Sequence, residues 1–342
     1  MIKKAFITDC EGPVSLNDNA YELCKEFIPD GDEFFKVVSS FDDYLVSINH
    51  ENYNAGDTLK LIAPFLKAYG LNNEKIFDFS KKNLSLVNGA KETMDYAKKN
   101  IISYIVSTSY GQYIESLSNN INFPFQNTFY TSLSLDCSIT VDEKNLLLSF
   151  KDEILNGDFN RNYEIFFKEI PKLKAYKIIE STETIGGLGK KIAIEKIIAK
   201  EDLLAKGIMY VGDSITDVEP LRFVRENEGL AISFNGNEFA LKESEVVVVS
   251  DDTIVTSILL DLFGRYNKNY CLEFIKIYSD DPQKAFENLR MNFSLMDKFR
   301  EVFKDKKIPI IAIIDDDNFD YLLEKSMEMR KKIRGNGIGE LS

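Results

Sequence analysis

The sequence predicts an α/β fold in which a parallel sheet lies between helices. Short apolar runs, such as Ala5–Thr8, Ile101–Val106 and Gly207–Val211, each lead into small or acidic residues and then into a stretch with helical periodicity. Strands that alternate with helices in this way form parallel βαβ units. Ligands of such sheets bind beyond the carboxyl ends of the strands. The polar residues that follow each run are therefore the first candidates for a functional site.

Composition and charge limit the chemistry. The chain has 342 residues, of which 44% are hydrophobic and 28% charged, as in ordinary globular proteins of about two domains. The net charge of −13 argues against non-specific binding to nucleic acid or to an anionic membrane. A single histidine, His50, excludes zinc sites that need two histidines. We expect His50 to lie in a solvated loop, so carboxylates must carry the chemistry.

The cysteines and the hydropathy pattern indicate a compartment. The four cysteines are far apart and form no Cys-x-x-Cys pair, which is typical of reduced thiols. The first residues reach Asp9 too early for the apolar region of a signal peptide. No run of 18 apolar residues occurs, so we expect no insertion into a membrane. The predicted location is the cytoplasm.

Two long stretches and the C-terminal region interrupt the strand and helix alternation. Apolar spacing near 3.6 residues at Ala20–Phe27 and Thr58–Tyr69 predicts helices after the first strand. The tail Gly335–Gly339 is rich in glycine, and we expect it to fray. The predicted division is an α/β core over 1–14 plus 87–251 with an insertion at about 138–182, a helical segment over 15–86, and a mainly helical C-terminal extension over 252–342.

Three predicted strand ends carry a recurring set of polar side chains. Asp9 and Glu11 follow the first strand, and Ser107 follows the second. Asp213 and Asp217 follow a later strand, and Lys190 begins the helix before it. Because the carboxyl ends of parallel strands meet at one edge of a sheet, we expect these side chains to lie together.

This ordered set resembles the haloacid dehalogenase (HAD) superfamily of phosphohydrolases, in particular the branch of phosphoserine phosphatases and phosphoserine:homoserine phosphotransferases. The resemblance covers residues 1–14, 88–111 and 187–251. It implies a Rossmann-like core, and it places a helical C1-type cap at 15–86, where the family keeps the element that selects the substrate.

The resemblance also implies residue roles. Asp9 would be the nucleophile that forms an aspartyl-phosphate, and Glu11 the general acid and base. Mg²⁺ would bind Asp9, the backbone carbonyl of Glu11, and Asp213, with Asp217 orienting a metal-bound water or Lys190. We expect crowding among the other three acids to raise the pKa of Glu11.

Further residues would hold the substrate. Ser107, Thr108 and Lys190 would bind the phosphoryl oxygens, and the amides of Thr108 and Ser109, at a helix start, would add donors. Asp18, Lys60 and Asn235 are candidates for contacts with the rest of the substrate.

The implied function is a Mg²⁺-dependent phosphatase for a small phosphorylated metabolite, with phosphoserine-like substrates among the candidates. Glu11 stands where the family commonly has Asp, and Pro13 where it has Thr or Ser. Transfer to a small alcohol is therefore an alternative. The chain also resembles archaeal HAD-like proteins associated with an energy-converting hydrogenase, so a second alternative is an accessory subunit. A homodimer or a larger protein complex is compatible with either.

Two other motifs are excluded as sites. Asp315–Asp317 follow an apolar run but have no partner serine or lysine, and we expect them to begin the helix Phe319–Lys331. Gly186–Lys190 suggests a phosphate-binding P-loop, but Thr184 replaces its first glycine and Lys191 its final Ser or Thr.

Overall fold

The computed structural model describes residues 2–51 and 53–341; Met1, Asn52, Ser342 and the side chain of Asn288 lie outside the description. Its centre is a single sheet of short strands. These are β1 (Ala5–Thr8), β2 (Ile102–Tyr110), β3 (Thr128–Thr131), β4 (Ile208–Gly212), β5 (Leu230–Phe234), β6 (Val246–Val249) and β7 (Ile310–Ile313).

The strand order is β3-β2-β1-β4-β5-β6-β7. All neighbours pair in parallel except β7, which runs antiparallel to β6. Thr8 at the end of β1 is in register with Ile105 on one side and Val211 on the other. The strands that follow β1 are added first on one side of it (β2 and β3) and then on the other (β4 to β7). This change of side leaves a crevice at the carboxyl end of β1. The predicted α/β fold with a mostly parallel sheet is confirmed.

Helices surround the sheet on both faces. They are α1 (Asn19–Phe27), α2 (Gly31–Ser47), α3 (Thr58–Ala68), α4 (Asn73–Asn83), α5 (Ala90–Asn100), α6 (Gly111–Ile121), α7 (Val141–Asn156), α8 (Phe159–Glu164), α9 (Tyr176–Ser181), α10 (Leu188–Glu201), α11 (Val218–Glu226), α12 (Glu238–Glu243), α13 (Ile254–Arg265), α14 (Lys268–Asp280), α15 (Pro282–Asn288), α16 (Phe293–Val302) and α17 (Phe319–Gly339).

Helices α1–α4 and α7–α9 share one hydrophobic core and form what we call the helical unit. Aromatic rings join the two segments, since Phe41 of α2 stacks on Phe166 with ring centroids 5.8 Å apart. His50 belongs to the same cluster and lies 5.0 Å from the ring of Phe167. It is packed against aromatic rings, which corrects the expectation of a solvated loop. The segments 15–86 and 138–182 are thus packed together, and their domain boundaries stay predictions.

The C-terminal region is integrated into the core. Helix α13 is almost wholly buried against α5, and β7 extends the sheet. Helix α17 begins at Phe319, as predicted, after Asp315 accepts hydrogen bonds from the amides of Asp317 (3.1 Å) and Asn318 (2.9 Å). The tail does not fray as expected: the chain bends at Gly335, with φ +77, and Ile338 then packs on the helical unit.

Two further expectations concern the chain as a whole. Cys10, Cys24, Cys137 and Cys271 are all free thiols, as their spacing predicts. None of the helices in the described ranges has the length and apolar character needed to cross a bilayer.

Candidate active site

The candidate site lies at the carboxyl end of β1. The amide of Asp9 donates to the carbonyl of Val211 at 2.8 Å, which ties the end of β1 to β4. The chain then turns sharply at Gly12, whose φ of +101 favours glycine. A Cβ at Gly12 would lie 2.2 Å from Oδ2 of Asp213, so this turn lets the β1 loop approach the carboxylate that follows β4.

Three carboxylates come together there. One oxygen from each of Asp9, Asp213 and Asp217 lies within 4.8 Å of the others, and all three side chains are buried. Asp217 is held firmly, because its Oδ2 accepts the amides of Asp213 (2.9 Å) and Ser214 (3.1 Å). The hydroxyl of Tyr210 donates to its Oδ1 at 2.6 Å.

Lys190 is the cation of this cluster. It is fully buried, and its ammonium group lies 2.8 Å from Oδ2 of Asp9 and 2.7 Å from Oδ1 of Asp217. Burial by itself would lower the pKa of Lys190, but the charges of Asp217 and Asp9 outweigh it, so the pKa is raised and the side chain stays charged. Lys190 extends from the first turn of α10, and the glycines before it do not form a P-loop.

The pKa values of the acidic side chains are shifted in different directions. Burial raises the pKa of Asp9 to about 8, despite the opposing charge of Lys190. The pKa of Asp217 is lowered, because Lys190 outweighs the effect of burial. Burial also raises the pKa of Glu11, and the neighbouring charge of Asp18 adds to this. The direction agrees with the prediction for Glu11, but its causes are burial and Asp18 rather than crowding among the other three acids.

A hard divalent cation fits this donor set. Close carboxylate oxygens are the ligands that Mg²⁺ takes, and the raised pKa of Asp9 shows a buried acid that Lys190 does not fully compensate. Asp9 and Asp213 are the residues that would hold such an ion, because both oxygens of Asp217 already accept hydrogen bonds from Lys190, Tyr210 and two backbone amides. The carboxyl group of Glu11 borders the same cavity but is not one of the three grouped carboxylates, and its Oε1 accepts the amide of Asn19 at 2.8 Å.

Thr108 and Ser109 line the opposite wall of the cavity, whereas Ser107 is buried behind them and does not line it. Strand β2 continues to Tyr110 and α6 begins at Gly111, so the amides of Thr108 and Ser109 are not at a helix start, contrary to the prediction. The amide of Ser109 instead donates to Oγ of Ser107 at 3.1 Å. The hydroxyl of Thr108 is buried and has no hydrogen-bond partner within the described residues, so it is available to an incoming oxyanion. The side chain of Ser109 faces Glu11 instead and opposes the rise in the pKa of that carboxyl group.

The predicted substrate-contact residues have different fates. Asp18 lines the cavity and also caps α1, because its Oδ1 accepts the amide of Tyr21 at 3.0 Å. Lys60 forms an ion pair with Asp57 and does not line the cavity. Asn235 is buried, donates to the carbonyl of Ser250 at 2.7 Å, and joins the loops after β5 and β6. Lys60 and Asn235 are therefore not among the residues that line the cavity, and their contacts with substrate stay predictions.

Two arginines of the site were missed from the sequence. Arg330 and Arg334 of α17 line the same cavity, of about 80 Å³, and both contact Oδ2 of Asp213, Arg334 at 3.1 Å. Their spacing of four residues places them on one face of a helix, while most basic neighbours are lysines. The spacing indicates a basic face on a helix, but it does not show which site that face contacts.

Several solved structures are similar to this chain. Gene product AF1437 from Archaeoglobus fulgidus shares 29% identity with this chain, covers 99% of both chains and superposes with a TM-score of 0.80. A phospho-aspartyl intermediate analogue of phosphoserine phosphatase shares 17% identity over 78% of this chain and 100% of its own, with a TM-score of 0.49. A phosphoserine phosphohydrolase-like protein from Francisella tularensis shares 16% over 75% and 97%, with a TM-score of 0.44.

The chain resembles the HAD phosphohydrolases. The full-length similarity to AF1437 shows that the helical unit and the C-terminal region belong to a shared fold. TM-scores below 0.5 are too low to assign a function, so the resemblance to phosphatases rests on the motif residues and their arrangement. No family model matches the sequence, and no curated protein matches it.

Proposed function

We propose that this protein is a Mg²⁺-dependent phosphatase that hydrolyses a small phosphomonoester through an aspartyl-phosphate on Asp9. The observation that carries the proposal is the buried cluster at the end of β1, where Lys190 lies between Asp9 and Asp217 and next to Asp213. A carboxylate that attacks a phosphate dianion needs cations around it, and this arrangement provides for them. We propose the cytoplasm as its location.

The proposed first step forms a bond between a carboxylate oxygen of Asp9 and phosphorus. The bond from phosphorus to the substrate oxygen breaks, and Glu11 gives its proton to the leaving alkoxide. A carboxyl group whose pKa is raised by burial is suited to this donation near neutral pH. Lys190 and the hydroxyl of Thr108 would hold the phosphoryl oxygens during transfer.

The second step reverses the role of Glu11. Its carboxylate takes a proton from water, the water oxygen bonds to phosphorus, and the bond to Asp9 breaks to release inorganic phosphate. Bound to Asp9 and Asp213, Mg²⁺ would supply charge neutralisation and hold Asp9 in its ionised form. The loop from β1 brings Glu11 beside Asp18 and the start of α1, so its position depends on the helical unit.

The test is turnover of a panel of phosphomonoesters by the purified protein, with MgCl₂ and with EDTA. We expect activity only with the metal, and we expect Asp9→Asn to lower kcat by about 10⁴-fold or more. With 4-nitrophenyl phosphate, whose leaving group needs no proton, Glu11→Gln is expected to accumulate phosphorylated Asp9, detected by mass spectrometry after rapid quenching, because the second step lacks its base. Asp315→Asn, a change in an exposed turn, is the control and should leave kcat unchanged.

The same assay separates the alternatives. With glycerol or another small alcohol present, more product alcohol than inorganic phosphate would show transfer instead of hydrolysis. If no phosphomonoester is turned over and Asp9→Asn changes nothing, the proposal fails and the accessory-subunit hypothesis gains support.

A further inference from the structure

Arg330 and Arg334 enter the cavity from α17, a helix far along the chain from the motif residues. Their side chains are 3% and 5% exposed, although guanidinium groups are rarely buried unless paired. Both are held on one carboxylate oxygen, Oδ2 of Asp213. Asp213 is also one of the acids grouped for a cation. The two arginines therefore bring α17 into contact with the proposed catalytic centre.

We propose that Arg330 and Arg334 form a second anion-binding site, so that the substrate is a phosphomonoester with an additional carboxylate or phosphate group. This inference rests on the proposed function and adds the class of substrate to it. The recognising chemistry is that of two guanidinium groups, which bind carboxylate and phosphate oxygens through charged hydrogen bonds.

Arg334 is positioned by backbone carbonyls of the β1 loop. Its Nε donates to the carbonyl of Leu16 at 3.1 Å, and its Nη2 donates to that of Asn17 at 2.7 Å. Only Nη1 is directed to Asp213. Two of the three nitrogens are thus used to fix the plane of the group, and the third points to the shared carboxylate. This is the arrangement of a preorganised ligand-binding side chain.

Arg330 carries an unused donor. Its Nη1 contacts the carbonyl oxygen of Asp213 at 3.2 Å, and its Nη2 contacts the carbonyl of Leu341 at 3.3 Å. Its Nε is buried and has no partner anywhere in the described part of the chain. A buried donor without an acceptor costs about 1–3 kcal/mol. A ligand oxygen at this place would satisfy it.

Competition for Asp213 indicates when the arginines would be released. A cation bound by Asp213 competes with both guanidinium groups for the same carboxylate. The arginines would then lack a counter-charge in a buried cavity, which an anionic group of the substrate would replace. Asp18 and Glu11 line the same cavity and are the carboxyl groups that an incoming anion would also face.

The test measures binding by calorimetry in MgCl₂ with the Asp9→Asn variant, which avoids turnover. Two matched pairs of probes distinguish the source of the second charge. The carboxylate pair is 3-phosphoglycerate and glycerol 3-phosphate; the phosphate pair is propane-1,3-diol bisphosphate and 3-hydroxypropyl phosphate. We expect the member with two anionic groups to bind about 10- to 100-fold more tightly in at least one pair.

Adding Arg334→Gln to Asp9→Asn is expected to bring that ratio close to one. Arg300→Gln, in an exposed ion pair on α16, is the matched control and should leave the ratio unchanged. A purely structural role of Arg334 would weaken both members of a pair equally and preserve the ratio.

The inference is overturned if Asp9→Asn binds both members of each pair equally, binds neither, or keeps its preference when Arg334→Gln is added. If Arg334→Gln does not fold, Arg334→Lys, which keeps the charge but not the fork of donors, replaces it and should reduce the ratio. These ratios do not depend on turnover. A preference without any phosphatase activity would refute the proposed function and leave this binding site standing.

Discussion

Replacing Lys190 by methionine tests the electrostatics of the site most directly. The ammonium group is fully buried and lies 2.7 Å from Asp217, which has a lowered pKa because Lys190 outweighs burial. Methionine preserves most of the side-chain length and removes the charge. At pH 7 the change leaves Asp217 ionised, buried and without its cation.

Removing one partner of a buried ion pair lowers the free energy of unfolding by about 3–5 kcal/mol, because the other charge stays buried without compensation. We therefore expect Lys190→Met to lower the free energy of unfolding by about that amount at pH 7 without Mg²⁺. The pKa of Asp217 should be higher in the variant, because the charge of Lys190 no longer opposes burial and only the hydrogen bonds from Tyr210 and two amides still do. An acid with a raised folded pKa destabilises as the pH rises through that value, so the deficit should shrink as the pH falls from 7 to 5.

Urea denaturation followed by circular dichroism measures this difference. Lys191→Met is the matched control on the same helix, because Lys191 is partly exposed and pairs with Glu195 at 3.5 Å. Such a pair contributes about 0.3–0.5 kcal/mol. A loss for Lys190→Met no greater than for Lys191→Met, or one equal at pH 5 and pH 7, would refute the reasoning.

Two further predictions concern backbone geometry and pH. Gly12→Ala must displace Asp213 and should lower phosphatase kcat by about 100-fold; Gly70→Ala, also at positive φ but with open space around its Cβ, should cost only about 1–2 kcal/mol of stability and keep full activity. Equal activity in the two variants would contradict this. Burial raises the pKa of Asp42 from 3.8 to about 7, so its contribution to stability is full below pH 3.8 and lost as the pH rises through 7. In urea denaturation, wild type should lose up to about 4 kcal/mol relative to Asp42→Asn over that range, and a pH-independent difference would show that Asp42 does not titrate there.

The strands and the acids at their ends could be predicted from sequence because the information is local. The apolar runs that form β1, β4, β5 and β6 are wholly buried strands. Asp9 and Asp213 directly follow two such strands, and parallel pairing places both at the same edge. Lys190 follows from the same logic, since it extends from the helix that precedes β4.

Other features depend on which distant segments pack together. His50 was assigned to a solvated loop from its polar neighbours, but the rings of Tyr163 and Phe167 come from a segment more than a hundred residues away. Lys60 was a candidate for substrate binding by charge alone, and its neighbour Asp57 pairs with it instead. The aromatic partners of His50 are therefore not encoded near it, whereas the partner of Lys60 lies three residues earlier and could have been predicted from the sequence.

The sequence by itself determined the α/β class, the position of the sheet edge and the acids and lysine that meet there, because period, strand length and turn residues act over a few neighbours. Only the tertiary structure decided that α17 returns to this edge and directs Arg330 and Arg334 at Asp213, 117 and 121 residues away in the chain. The physical reason is that the charge on a helix face specifies an anionic partner, whereas the packing of the whole C-terminal region specifies which one.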